Sequence, residues 1–316
     1  MARLLQIYYN AVFGGLGGLL GWMLFGVFTP PAVGEWDWHS ALAGGAIIGL
    51  MIGYFVVSVD AILDHALVRF TRYAAYGIIL GAIGGAVGYW LGDWVNYVLM
   101  PSAGDAGLIS RVTARALGWM LFGLLVGVSE GIAARSLGKL TYGAIGGSLG
   151  GLIGGGIFGW LMEVLDKQDS SYTIGQAVGL VVLGACIGAL TALVQEVLKP
   201  AAVKVLRGWQ EGREYPIIKA SNVLGRDETA DVLLLRDMTV EKRHALIQRK
   251  GNSYIFINHN SPPQQTLVND APVEQSCALQ DGDRIQLGQV VLRFLRRAAH
   301  KRNAPARAPV NSQVAG

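Results

Sequence analysis

The chain has 316 residues, of which 52% are hydrophobic and 15% charged, with 44 glycines, 2 cysteines and a formal net charge of +4. Soluble domains carry about 25% charged residues, so this composition excludes an ordinary soluble domain for most of the chain and excludes a disulfide-built scaffold. The polarity is unevenly placed: Leu4 to about Leu198 is apolar and glycine-laden, and from Lys199 onward the chain is polar and basic at its end. That step predicts two domains, with the distribution of charge more informative than its sum. Cys186 and Cys277 fall on opposite sides of it, and two free thiols suit a reducing cytoplasm.

The first apolar run, Leu4 to Phe28, is longer than the apolar region of a signal peptide and ends in Thr29-Pro30-Pro31. It reads as a retained first span. A helix needs about 20 apolar residues to cross the hydrocarbon, and six stretches qualify: 7–28, 41–63, 73–99, 116–137, 140–164 and 174–198. None has the charged face that a soluble helical bundle requires. Residues 1–198 are therefore expected to form an α-helical membrane bundle of about six spans, with the lipid bilayer as its surroundings.

The odd spans follow one template. Tyr9, Tyr76 and Tyr142 open them, 67 and 66 residues apart. Gly14, Gly17, Gly18 and Gly21 follow the first; Gly81, Gly84, Gly85 and Gly88 the second; Gly147, Gly150, Gly151 and Gly154 the third. The even spans share Gly44, Gly49, Gly53; Gly118, Gly123, Gly127; and Gly179, Gly184, Gly188. The pattern suggests one helical hairpin used three times. Helix association in lipid depends on close packing of small residues, and residues four apart share a face. Gly14, Gly18, Gly81, Gly85, Gly123, Gly127, Gly147, Gly151, Gly184 and Gly188 are thus candidate packing positions. Packing within one bundle, self-association into a homo-oligomer and a pore lining are the alternatives.

Arg3, Arg69, Arg72, Arg135, Lys139, Lys199 and Lys204 flank one side of the spans. Glu35, Asp37, Asp105, Asp166 and Asp169, against Arg111, Arg115 and Lys167, lie on the other. The bias of Lys and Arg toward the inner side places the N-terminus and the C-terminal domain in the cytoplasm. Trp36, Trp38, Trp90, Trp94 and Trp160 cluster toward the outer ends, as an interfacial belt would. The span centres lack ionisable groups, which argues against a coupled transporter. Asp60, Glu130 and Glu196 sit near the inner ends, either as an acidic ring that collects cations or as carboxylates paired with Arg69, Arg72, Arg135 or Lys199.

After a stretch read as a basic linker, 199–213, short β-rich runs appear at 215–220, 231–235, 245–248, 253–257, 265–268, 284–287 and 290–294. Turn signals such as Lys250-Gly251-Asn252 and Asp281-Gly282-Asp283 separate them, which predicts a β-sandwich. Its landmarks come in a definite order: Leu224-Gly225-Arg226, Asp231-Val232, Asp237 through Ala245, Tyr254 through Ile257, Thr266 through Asn269, Leu279 through Ile285, and Leu287-Gly288. Residues 214–297 thereby resemble a forkhead-associated (FHA) domain. The resemblance implies a phosphothreonine-binding adaptor without enzymatic activity, with Arg226 as phosphate ligand, Lys242 as the basic neighbour, and Gly225 and His244 as structural residues. Asn260, Thr266 and Asn269 would read a peptide backbone. Glu241 replaces the family's phosphate-binding serine and Gln264-Gln265 its asparagine-glycine pair. A carboxylate facing a phosphate of about −2 charge is repulsive, so phosphate-independent protein contact and internal pairing of Glu241 with Arg226 are alternatives. Residues 298–316 read as a disordered basic tail.

No P-loop, zinc-ligand cluster or Ser/His/Asp arrangement is present, and His39, His65, His244, His259 and His300 are scattered. No catalytic residue, metal, cofactor or nucleic-acid partner is expected. The sequence points to a membrane-anchored scaffold, in a bacterial inner membrane by the family resemblance, that presents an FHA-like module to a cytoplasmic protein or phosphoprotein. The alternative is a permeation protein of pseudo-three-fold form, regulated by that module.

Overall fold

The computed structural model describes residues 2–28, 38–99, 108–165, 172–259 and 261–297. The acids Glu35, Asp37, Asp105, Asp166 and Asp169, together with Trp36, Asn260 and residues 298–316, lie outside the described residues. Six helices come first: α1 (Ala2–Phe28), α2 (Trp38–Leu63), α3 (Leu67–Leu99), α4 (Leu108–Ala133), α5 (Leu137–Leu165) and α6 (Tyr172–Leu198). Among the described residues, five of them are long and apolar enough to cross a membrane, α2 through α6. The first is the exception to the expected six. α1 has the length, 27 residues, and its described side chains stop short of both helix ends.

The helices form a closed ring in chain order, α6 packing back against α1, and the even helices also touch one another. Ile48 and Ile52 of α2, Phe122 and Val126 of α4, and Leu183 and Ile187 of α6 belong to one buried cluster. The odd helices wedge between the even ones through glycine. Gly45, Gly49 and Gly53 of α2 lie against Gly85, Gly81 and Gly77 of α3; Gly123 and Gly127 of α4 against Gly147 and Gly143 of α5; Gly184 and Gly188 of α6 against Gly14 and Asn10 of α1. A Cβ at any of these glycines would run into a partner carbonyl oxygen. Close backbone approach offsets the roughly 1 kcal/mol helix-propensity cost of each glycine. The row on α2 runs through Gly45 rather than Gly44, because a 4-residue step keeps Gly49 and Gly53 on its face; Gly44 instead carries the Phe25 ring. A second glycine face, Gly17, Gly84 and Gly150, turns toward each odd helix's own hairpin partner.

The span expected at 116–137 runs past a helix end. α4 stops at Ala133, Arg135 takes φ 51°, and α5 starts at Leu137. The α2–α3 turn is built alike, with His65 at φ 54°. In both, two crossed amide bonds close the helix end: Ala66 N to Ala61 O (3.1 Å) and His65 N to Ile62 O (3.1 Å), then Ser136 N to Gly131 O (3.0 Å) and Arg135 N to Ile132 O (3.0 Å). This is the left-handed helix stop usually assigned to glycine.

A β-sandwich follows, with strands β1 (Ala201–Arg207), β2 (Glu214–Pro216), β3 (Ser221–Gly225), β4 (Val232–Leu233), β5 (Ala245–Lys250), β6 (Ser253–Asn258), β7 (Thr266–Val268), β8 (Ala271–Pro272), β9 (Ser276–Leu279), β10 (Arg284–Leu287) and β11 (Val290–Arg296). One sheet has the order β2-β1-β11-β10-β7-β8 and the other β4-β3-β5-β6-β9. Alternation buries Tyr254 and Phe256 of β6 and Val203 and Val205 of β1 over a shared core with Ile247, Ile285, Leu292 and Phe294. The linker expected at 199–213 is corrected by β1, an interior strand paired with both β11 and β2. Its Lys204 points away from the core between two inward valines, so the basic residues mask a period of two.

The sandwich is fastened to one end of the bundle. Asp64, 2% exposed at its side chain, pairs with Arg69 at 2.8 Å and with Arg213 at 2.6 Å. Lys199 joins Glu196 (2.6 Å) at the end of α6 to Glu214 (3.2 Å) on β2. A buried ion pair adds little net stability over an apolar one, but losing one partner strands the other charge. These pairs therefore specify one docking geometry.

Candidate recognition site

Two loops meet beside the end of β3. Gly225 closes that strand, and a Cβ there would collide with the Lys242 carbonyl oxygen, so glycine is what lets the two backbones touch. Arg226 N then donates to Glu241 O (3.1 Å) and Asp227 N to Lys242 O (3.1 Å). Backbone, rather than side chains, laces the two loops together.

His244 is fully buried beneath them. Its Nδ1 accepts the Glu241 amide (3.1 Å) and its Nε2 lies 2.9 Å from Thr266 Oγ1, which donates to Pro262 O (3.1 Å). A ring nitrogen that accepts an amide proton carries none, so Nε2 bears the hydrogen and donates to Thr266. Burial pushes the imidazole below its ordinary range, in keeping with that neutral form. Ser261, also buried, donates to His244 O (3.1 Å), and Asn258 holds Ser261 O (2.8 Å) and Val273 O (2.9 Å). One polar network thus sets the 241–244 and 261–266 segments.

What remains at the surface is Arg226, half-buried, with Glu241, Lys242 and Arg243 exposed. Glu241 lies beyond 4 Å from Arg226: among the described residues no ion pair joins them, and the buried Arg226 Nε has no hydrogen-bond partner. The alternative of an internal Glu241–Arg226 pair is not what the structure holds: the lacing ties both residues through their backbones and leaves Glu241 exposed. Thr266 is fully buried in the histidine network, and Asn269 bonds Asp283 (2.8 Å) and Arg284 N (2.9 Å). Both are spent on the fold where a peptide contact was expected.

Sequence reasoning missed the capped loops. Asp227 accepts from Thr229 N and Thr229 Oγ1, each at 2.7 Å, and Asp237 accepts from Thr239 in the same way. The Thr229 hydroxyl and amide hold the Asp227 carboxyl below its ordinary range. The Asp-x-Thr spacing, present twice, was the available signal. It also missed how the recognition loop is seated. Glu228 accepts the Val68 amide at 2.7 Å, capping the start of α3, and Arg69 donates to Ala230 O.

Asp60, Glu130 and Glu196 do not form a bare ring. Glu130 pairs with Lys139 at 2.9 Å and takes a bond from Gln195 (2.5 Å); Asp60 lies 3.9 Å from Lys139 and 3.8 Å from Arg213; Glu196 pairs with Lys199. Of the cations proposed for them, Lys199 is used, and Lys139 and Arg213 replace the arginines.

Comparison with known proteins bears on the sandwich. The family model "Inner membrane component of T3SS, cytoplasmic domain" matches residues 204–298. The oxoglutarate dehydrogenase inhibitor of Corynebacterium jeikeium is 35% identical over 95 residues, 30% of this chain and 64% of that protein. Its counterpart from Corynebacterium diphtheriae is 32% identical over 111 residues, 34% of this chain and 76% of that protein. Among solved structures, an FHA domain studied for phosphothreonine-dependent interactions is 33% identical, with 31% of this chain and 97% of that one covered and a TM-score of 0.28. An FHA domain from Chlamydia trachomatis is 25% identical, with 31% and 98% covered and a TM-score of 0.28. Through the sandwich that follows its helical bundle, the chain belongs to the forkhead-associated family.

Proposed function

We propose that the chain is a membrane-anchored adaptor, with its N-terminus and FHA module on the cytoplasmic side, that holds a protein partner at Arg226. The observation that carries this reading is the unpartnered Arg226 Nε beside exposed Lys242 and Arg243. A guanidinium fork so placed suits an acidic or phosphorylated side chain. The exposed Glu241 carboxylate opposes a phosphate of about −2 charge more than a singly charged carboxylate. Recognition here is accordingly of an acidic protein surface, with little preference for the phosphorylated form. The curated relatives are named as inhibitors of an enzyme, which supports a role in protein contact. The filled cluster between the even helices and the paired state of Asp60, Glu130 and Glu196 favour an anchor over a conduit.

The test is titration of the full chain in nanodiscs with matched threonine and phosphothreonine peptide libraries. Arg226→Ala should abolish binding of acidic peptides, and Glu241→Ser should raise preference for the phosphorylated member at least roughly tenfold, the effect of about 1.4 kcal/mol. Equal binding by both variants and the parent would sink the reading.

A further inference from the structure

A second basic surface lies away from the laced loops, on the rim of the sandwich that meets the bundle. Between the end of β1 and the loop after β4 runs a groove of about 420 Å³, lined by Arg207, Trp209, Leu235, Arg236, Met238 and Val290. We infer that this groove binds the headgroup of an anionic phospholipid, a reading that rests on the membrane placement proposed above.

Four observations lead there. First, the Arg236 guanidinium lies 3.6 Å from the centre of the Trp209 ring, an arrangement that strips water from one face of the cation and fixes its fork. Arg236 holds it from φ 69°, a backbone conformation that side-chain-bearing residues seldom take. Second, the groove's one carboxylate is used internally: Asp237 accepts from Thr239 N (2.8 Å), Thr239 Oγ1 (2.5 Å) and Gln289 N (3.1 Å). Arg207 and Arg236 are left to set the sign of the surface.

Third, the groove sits at the level where helices leave the apolar layer. The Trp209 ring lies 6.3 Å from that of His65, the turn residue between α2 and α3. Tryptophan at such a level prefers the headgroup region. Fourth, α3, which starts two residues after His65, carries exposed apolar residues of its own. Trp209 is 49% exposed and Met238 78%; at the start of α3 Leu67 and Val68 are exposed, and further along it Ile79, Ile83 and Val87. A soluble partner would cover the arginines and leave those α3 residues to lipid. A phospholipid covers both, its chains along α3 and its phosphate against the two guanidinium groups.

The experiment uses the full chain in nanodiscs of phosphatidylcholine with a minor fraction of phosphatidylglycerol, with retained lipid counted by native mass spectrometry. Nanodiscs expose both leaflets, so the result does not depend on which side of the cell the sandwich occupies, and peptide binding at Arg226 is scored separately. Phosphatidylglycerol should be retained over phosphatidylcholine, and the double variant Arg207→Gln, Arg236→Gln should weaken that retention roughly 30-fold. Arg243→Gln, in the recognition loop, should leave it unchanged. If the glutamine pair unfolds, Arg207→Lys with Arg236→Lys and, separately, Trp209→Phe carry the test, each expected to weaken retention partially. Unchanged retention in the folded variants overturns the inference. So does full competition by soluble glycerol phosphate, which would mark a free-phosphate site. Loss of an acidic peptide at the same arginines with lipid unaffected overturns it in favour of a protein surface.

Discussion

Where α4 meets α5, Gly127 and Gly143 bring two helix backbones into contact, whereas in the sandwich the rings of Tyr254 and Phe294 stand 5.1 Å apart and fill the space between sheets. The difference follows from the two solvents. In water, burying an aromatic ring is itself the driving force. Surrounded by lipid, a large side chain gains little by turning inward, so the bundle sends Ile79, Ile83, Leu149 and Ile153 outward and keeps glycine at the seams around its one central cluster. The sandwich is therefore probed best at its rings and the bundle at its glycine seams.

The largest expected effect is in the sandwich. Phe256→Ala removes a fully buried ring and should cost about 3–5 kcal/mol of that domain's stability. Chemical denaturation of the full chain in detergent, followed by near-ultraviolet signals, should show the sandwich transition moved and the helical transition in place. A common shift of both would show that the two regions do not unfold separately.

Next comes Gly127→Ala, which adds one methyl group against the Gly143 carbonyl. Overpacking at a backbone contact should cost about 1–3 kcal/mol. Gly156→Ala is the matched contrast: a Cβ there finds only the Ala116 methyl, at 4.0 Å, so up to about 1 kcal/mol of helix propensity should appear as added stability. Opposite signs in the helix melting temperature sharpen the comparison; equal signs break it.

The smallest effect concerns pH. His244 has its folded pKa below the unfolded value of about 6.5, so the unfolded chain binds the extra proton first. Its contribution is intact above about pH 6.5 and is lost as pH falls through that value, with a slope of at most about 1.4 kcal/mol per pH unit. His244→Gln should flatten the dependence of the sandwich transition between pH 7.5 and 5.5, and should leave the bundle's dependence as it was. An unchanged slope would mean that the imidazole is not the titrating group.

Much of this was legible in the residues. Apolar length gave the helices, and the order of landmarks from Gly225 to Gly288 gave the sandwich, because both are local in sequence. What stayed hidden depends on distant partners. β1 was obscured because Lys199, Lys204 and Arg207 look like a membrane-flanking basic run until β11 is placed beside them. Thr266 and Asn269 looked available for a ligand until His244 and Asp283 were found on them. Lys139 and Arg213 were not chosen as partners for Asp60 because one lies 79 residues and the other 153 residues along the chain. The second arginine site needed three segments that no spacing rule connects.

The short passage from α6 into β1 has a practical meaning. Only Lys199 and Pro200 separate the last helix from an interior strand, so the module has no leash. It cannot sweep a volume in search of a partner, and any tilt of the final helix is handed directly to the sheet. A fragment cut at residue 214 would lose the strand that β2 and β11 both grip, exposing two sheet edges to aggregation. Freeing the module intact means cutting ahead of Ala201.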